Sequence, residues 1–124
     1  MEKIDALACI RTIVAEIFER DPDTLGPETR LMQDLPCESI DLLEIAARVS
    51  QRAGREVDDE ALFLRNLRAL VAERPGDDPA AVIAANFPWL APSRVESAVA
   101  DMRSPAPFVT LADMAAYLDY LQGC

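Results

Sequence analysis

Residues 31–45 read LMQDLPCESIDLLEI and mark the boundary between a long loop and a helix. Beyond Ser39, apolar residues recur at the three- and four-residue spacing of one helix face. They are Leu42, Ile45, Ala46 and Val49. Gly54 suits the end of this helix because glycine readily adopts the left-handed conformation of a C-terminal cap. The stretch therefore predicts a helix near 39–53 that opens on a serine placed between Glu38 and Asp41.

An amphipathic stretch and a long loop precede this helix along the chain. Apolar residues at helical spacing predict a helix over 3–20, which Asp21-Pro22 should end. Residues 21–38 have no helical period and contain three prolines, so we expect a long loop pinned to the core by scattered apolar anchors. The anchors are Leu25, Leu31, Met32 and Leu35.

The second half of the chain also predicts helices and no strand. Residues 61–74 (ALFLRNLRALVAER) predict one continuous helix, capped by Asp58 or Asp59 and stopped at Pro75-Gly76. Asp78-Pro79 predicts a further helical turn. Two pairs match the capping box that opens a helix. They are Ser93 with Glu96 and Thr110 with Asp113. The sequence thus predicts an all-α domain of five or six helices.

Composition limits the partners and the compartment. The 124 residues carry twelve basic and twenty-two acidic side chains, a net charge of −10, which would repel nucleic acid and anionic lipid. Charged residues interrupt the apolar N-terminal stretch, so we expect no signal peptide and no membrane span. Three cysteines without a close pair favour a reducing compartment, and we predict a cytoplasmic protein.

Catalytic and metal-binding patterns are weak. The chain has no histidine, so Cys37 has no imidazole to activate it, and the acids near Ser39 look like a solvated helix start. DPDTLGPETRLM (21–32) begins like a calcium loop but places Leu25 and Met32 where oxygen ligands are required. From the residues alone, Ser39 fits an ordinary helix N-cap that accepts a backbone N–H.

The stretch 31–45 resembles the acyl carrier protein signature, in which Asp-Leu-Gly precedes Asp-Ser-Leu-Asp, two variable positions and Glu-Leu. Five residues match it outright: Asp34, Leu35, Ser39, Asp41 and Glu44. Four positions differ from it: Pro36, Glu38, Ile40 and Ile45. The resemblance implies an antiparallel four-helix bundle in a single domain spanning 1–124. Residues 1–60 and 108–122 would form its core, and additional helices would be inserted at about 61–107.

The resemblance also implies that Ser39 carries 4'-phosphopantetheine, transferred from coenzyme A by a phosphopantetheinyl transferase, and that the protein is not an enzyme. Acyl groups would be held on this arm as thioesters, for a specialised fatty acid, envelope lipid (lipid A or lipopolysaccharide type) or polyketide pathway. Six residues would dock the transferase and the acyl-loading and acyl-transfer enzymes, through basic patches on those partners. They are Glu38, Ile40, Asp41, Leu43, Glu44 and Ala47.

Several alternatives stay open at this point. The protein could be a peptidyl or aminoacyl carrier, or a carrier-like helical interaction module without the arm. An acidic enzyme using Cys37 or paired carboxylates is a third reading. Arg48 either pairs with Glu44 or belongs to a bipolar docking face with Arg52 and Arg55. The apolar residues of the insertion either enlarge the core or widen or cover an acyl cavity. We expect a monomer.

Overall fold

A computed structural model describes residues 5–102 and 109–122. It contains eight α-helices in the described ranges and a short 3-10 helix, Pro22–Thr24. The helices are α1 Ala6–Phe18, α2 Leu31–Asp34, α3 Ser39–Ala53, α4 Asp59–Leu62, α5 Leu67–Ala72, α6 Pro79–Asn86, α7 Pro92–Asp101 and α8 Leu111–Leu121. The same ranges contain no strand, only an isolated antiparallel bridge between Arg30 and Thr110. The all-α class with additional helices is confirmed.

Four helices form the central bundle. Helix α1 packs against both α3 and α8, and α4 packs against α3 and α8. Ile13 of α1, Ile45 of α3 and Leu118 of α8 are fully buried in this interior, and Ile45 belongs to the apolar stripe predicted for α3. Helix α3 covers the predicted range and ends at Gly54, whose φ of 69° is the left-handed conformation that glycine tolerates best. The bundle leaves the N-terminal end of α3 accessible at the surface.

Helix α1 is shorter than the predicted range 3–20. Asp5 caps its start by accepting the Ala8 N–H at 3.1 Å, and residues 3 and 4 lie outside the described part. The helix ends at Phe18, and its C-cap, Glu19, has a left-handed φ of 53°, which turns the chain so that the Arg20 N–H also reaches the Ala15 carbonyl, at 2.9 Å. Asp21-Pro22 therefore does not end the helix. Instead, Asp21 caps the 3-10 turn by accepting the Asp23 N–H.

The long connection 21–38 is anchored as predicted but is not free of helix. Leu25, Leu31 and Leu35 are buried, and Met32 packs partly against the core. Helix α2 forms in its middle because Asp34 accepts the Arg30 N–H at 2.8 Å and so closes one turn. Backbone hydrogen bonds from the Leu31 N–H to the Val109 carbonyl and from the Leu111 N–H to the Thr29 carbonyl, both 3.1 Å, join the connection to the start of α8.

The continuous helix predicted over 61–74 is wrong, because a turn separates α4 from α5. Leu62, Phe63 and Leu64 are consecutive and all buried, at 1%, 5% and 6% exposure. A helix turns by about 100° per residue and could not bury three adjacent side chains against one surface. Leu64 instead adopts a left-handed φ of 54°, which turns the chain so that all three face inward. Asp58 caps α4, as predicted.

The additional helices share the core of the bundle. Ile83 and Phe87 of the α6 region and Val95 of α7 belong to the same buried cluster as the bundle residues, as expected if this segment enlarges the core. Asp78 caps α6. The Ser93–Glu96 capping box is wrong, because α7 begins one residue before Ser93 with Pro92 in its first turn. The Thr110–Asp113 box is confirmed at α8.

Candidate functional site

Ser39 is the first residue of α3 and is exposed. The N-cap is Glu38, in extended conformation, and its N–H donates to Asp41 Oδ2 at 2.8 Å. The interpretation of Ser39 as an N-cap is therefore wrong, because Asp41 fixes the helix start one residue earlier. Within the described ranges no hydrogen bond engages the Ser39 hydroxyl. A covalent group could thus be attached there without breaking an existing contact.

Of the six predicted docking residues, Glu38 is the N-cap of this helix and the other five lie between its second and ninth residues. Ile40 and Leu43 are 70% and 62% exposed, although both are large and apolar. Ala47, four residues beyond Leu43, is also exposed, so these side chains follow the spacing of a single helix face. Glu38 and Glu44 are exposed beside them, whereas Asp41 is half-buried. The capping role of Asp41 is a function that the sequence analysis did not assign to it.

The basic residues toward the C-terminal end of α3 contact other residues of the same chain. Arg48 bridges Glu44 at 2.7 Å and Glu16 of α1 at 3.2 Å, and Arg52 contacts Glu16 at 3.3 Å. Arg55 donates to the Leu121 backbone carbonyl. The predicted i,i+4 pair of Glu44 and Arg48 is thus present within a larger network. These contacts hold α3 against α1 and α8 and leave less charge for a basic docking face.

A cavity of about 260 Å³ adjoins the serine. Leu42, Phe63 and Leu64 contribute apolar side chains to its lining, and Arg65 and Arg68 contribute basic ones. Ser39, Met32 and Val109 complete the lining. Neither arginine stands out in the sequence, since nothing in a helical pattern over 61–74 places them beside Ser39. The turn at Leu64 brings them there. The volume lies below the roughly 300–1,000 Å³ of typical ligand pockets, so a small chemical group would fill this cavity.

Cys37 lacks the features of a nucleophile. Burial, with a smaller contribution from the negative charge of Asp41, raises the pKa of the Cys37 thiol to about 11. The thiolate is the reactive form, so at neutral pH this side chain is almost wholly protonated and weakly nucleophilic. Asp21 and Asp23 shape the 3-10 turn rather than a calcium loop, and no cluster able to hold a metal ion occurs among the described side chains.

Across residues 5–102 and 109–122, no helix combines the length and the apolar character required to cross a bilayer. The longest helix, α3, has fifteen residues and an exposed charged face.

Comparison with known proteins points to the same stretch. Residues 9–73 match the family model described as a phosphopantetheine attachment site. Acyl carrier protein of Lactobacillus acidophilus is 40% identical over 53 residues, which cover 42% of this chain and 66% of that protein. Acyl carrier protein 2 of Ralstonia nicotianae is 33% identical over 60 residues, covering 48% and 74%. No solved structure matches the chain. The residues that match the family model, 9–73, contain Ser39 and end within the segment predicted as an insertion.

Proposed function

We propose, because the chain belongs to the acyl carrier protein family, that Ser39 is the residue that bears its 4'-phosphopantetheine. The single observation that supports this assignment is the Ser39 hydroxyl, which is exposed at the first position of α3 within the matched stretch. This cofactor supplies a flexible arm with a terminal thiol that holds acyl groups as thioesters. The family carries acyl groups rather than transforming them, so the residues of this chain present the arm and bind partners.

The start of α3 suits a phosphodiester chemically. The first N–H groups of a helix lack intrahelical acceptors and lie at the positive end of the helix dipole. A negative group there is stabilised by about 0.3–1 kcal/mol when exposed. No histidine or metal is required in this chain, because the transferase would supply the base that activates the Ser39 hydroxyl. The serine has only to be accessible.

The outer face of α3 would dock the partners. Ile40 and Leu43 expose apolar area that a partner could bury, and Glu38 and Glu44 surround it with negative charge. Such an arrangement fits a basic patch on a phosphopantetheinyl transferase or on an acyl-loading or acyl-transfer enzyme, where charge mainly raises the association rate. Ala47 would extend the contact by one turn. Asp41 would contribute charge while it fixes the helix start.

A specialised pathway fits the additional helices best. The described part of the segment, 61–102, shares the core with the bundle, so it adds a surface that a minimal four-helix carrier would not have. We assign the chain to a single domain, 1–124, with a carrier core over 1–60 and 108–122. Its pathway would be specialised fatty acid, envelope lipid or polyketide synthesis, and we place the protein in the cytoplasm as a monomer that is not an enzyme. A peptidyl or aminoacyl carrier is the alternative with the same site.

The deciding experiment is modification in vitro. The apo-protein is incubated with coenzyme A and a broad-specificity phosphopantetheinyl transferase, and the intact mass is measured. We expect a gain of one phosphopantetheine in the parent and none in Ser39→Ala. Ser93→Ala is the matched control, because Ser93 is also an exposed serine in the first turn of a helix. A parent that gains no mass would instead support the interaction module without an arm.

A further inference from the structure

We propose that Arg65 and Arg68 bind the phosphodiester at the root of the arm and so direct the arm toward the α4–α5 connection. This inference rests on the proposed attachment at Ser39. It concerns two residues that lie outside the motif resembled and outside the predicted docking face. The two arginines and the serine line the same cavity. The ligand would be a phosphate diester covalently fixed at the mouth of that cavity.

The covalent bond would determine which anion reaches the cavity. A phosphorus atom bonded to the Ser39 oxygen must lie within a bond length of it, wherever the rest of the arm points. Its nonbridging oxygens would therefore enter or adjoin the space that Arg65 and Arg68 line. A guanidinium presents five N–H donors in a planar fork that matches phosphate oxygens. It can therefore keep an intramolecular acceptor while binding phosphate.

The fold positions both guanidinium groups. The left-handed turn at Leu64 allows the Arg65 N–H to bond the Glu60 carbonyl at 2.9 Å, which fixes where α4 ends. Arg65 Nη1 lies 3.3 Å from Asp59 Oδ2. Arg68 Nη2 donates to the Asp101 carbonyl of α7 at 3.5 Å. The additional helix α7 thus helps to hold Arg68 at the cavity.

The negative charges around Ser39 favour a nearby basic site for the phosphodiester. Glu38 and Asp41 flank Ser39, so a phosphodiester would add a negative charge beside two carboxylates in a chain of net charge −10. The basic residues of α3 are at the opposite end of the helix and contact acids there. Arg65 and Arg68 supply the nearby positive charge. Phe63 and Leu64 contribute apolar wall to the same cavity.

The test is ³¹P NMR of the modified protein, free of cargo. We expect the phosphodiester resonance to shift in Arg65→Gln, in Arg68→Gln and further in the double variant, toward the position found after unfolding. Losing one charge-assisted hydrogen bond should lower the ratio of bound to unbound phosphate about tenfold. Arg68→Lys, which keeps the charge without the fork, should shift less than Arg68→Gln. A resonance unchanged in the double variant would overturn the inference.

Two controls make the result specific. Arg74→Gln removes an exposed arginine that pairs with Asp77 beyond α5, and it should leave the resonance unchanged. Circular dichroism verifies that each variant is folded. Intact mass reports attachment separately, so a parent protein that gains no phosphopantetheine would contradict the proposed function, whereas full modification with an insensitive resonance contradicts only this inference. The same spectra are recorded with the arm bare, carrying butyryl and carrying succinyl. If the arginine variants shifted the resonance only with succinyl, the arginines would bind the carboxylate of the cargo, and the phosphate assignment would be overturned.

Discussion

Arg94 of α7 forms a two-pronged ion pair with Asp113 of α8, with Nε–Oδ1 and Nη2–Oδ2 distances of 2.9 Å. The Asp113 side chain is only 1% exposed, and its carboxylate also accepts the Thr110 N–H at 3.1 Å. The hydrogen bonds to Asp113 raise the pKa of Arg94 above its ordinary value, so the guanidinium stays charged. One additional helix is thereby joined to the first turn of the last bundle helix.

Arg94→Met should destabilise the protein strongly. The change leaves the buried Asp113 carboxylate without its ion-pair partner, and breaking a buried pair in this way costs about 3–5 kcal/mol. Urea unfolding followed by circular dichroism measures the loss. Arg74→Met is the control, because the exposed Arg74–Asp77 pair should contribute at most about 1 kcal/mol. Equal losses in the two variants would mean that the Arg94 pair stabilises no more than a surface pair.

Ser39 and Thr110 should respond differently to alanine. Both are hydroxyl residues at helix starts, but Thr110 is the N-cap of α8 and accepts the Asp113 N–H, whereas Ser39 follows the N-cap of α3. Thr110→Ala should cost about 0.5–2 kcal/mol of unfolding free energy. Ser39→Ala, on an exposed site without a side-chain bond, should change it by less than about 0.5 kcal/mol. A cost for Ser39→Ala as large as that of Thr110→Ala would restore a structural role.

Local sequence signals predicted most of the bundle and singled out the stretch that holds the candidate site. Three features depend only on residues within a few positions of one another: the apolar stripe of α3, the glycine that ends it and the Thr110–Asp113 box. Such features can be predicted from neighbouring residues alone. The motif singled out Ser39 as the candidate attachment residue. Its exact place in the helix was not predicted, because Glu38 and Ser39 can both cap a helix start and Asp41 decides between them.

Long-range packing accounts for what the sequence did not reveal. Leu64 leaves the helical conformation because three consecutive residues pack into the core. A periodic pattern in the sequence does not reveal this packing. The positions of Arg65 and Arg68 beside Ser39 depend on that same turn at Leu64. The Arg94–Asp113 pair joins residues nineteen positions apart, and neither residue type signals its partner.

Ile40 and Leu43 should matter for modification and little for folding. Each exposes most of a large apolar side chain, so replacement by serine removes area that only a partner would bury. For Ile40→Ser and Leu43→Ser we expect kcat/KM of the transferase to fall about tenfold each, as for residues that contribute over 1 kcal/mol to an interface. The unfolding midpoint should stay within experimental error of the parent.

The control for this face is Tyr120 of α8, which is 47% exposed and packs beside Trp89 at a ring distance of 5.3 Å. Tyr120→Ser removes exposed apolar area away from α3 and should leave kcat/KM unchanged. If Tyr120→Ser and Leu43→Ser slowed modification alike, general loss of apolar surface rather than docking at α3 would be responsible.

Cys37 should behave as a protonated, slow thiol. Its pKa of about 11 in the folded protein lies above the ordinary 9.0, because burial disfavours the thiolate. Alkylation by iodoacetamide at pH 8 should therefore proceed more than about tenfold more slowly than that of a small-molecule thiol, and its rate should rise with a midpoint near pH 11. Peptide mapping by mass spectrometry separates Cys37 from Cys9 and Cys124. A midpoint near 9 would contradict the effect of burial.

The same pKa predicts how Cys37 affects stability. As the pH rises above 9.0, the unfolded chain loses the thiol proton first, while the folded protein keeps it until about pH 11. The contribution of this thiol to stability is therefore complete below pH 9 and is lost between pH 9 and 11. Cys37→Ser removes a group that titrates in this window, so the difference in unfolding free energy between variant and parent should change there and stay constant from pH 6 to about pH 8. A difference that is constant up to pH 11 would show that the folded and unfolded thiols titrate alike.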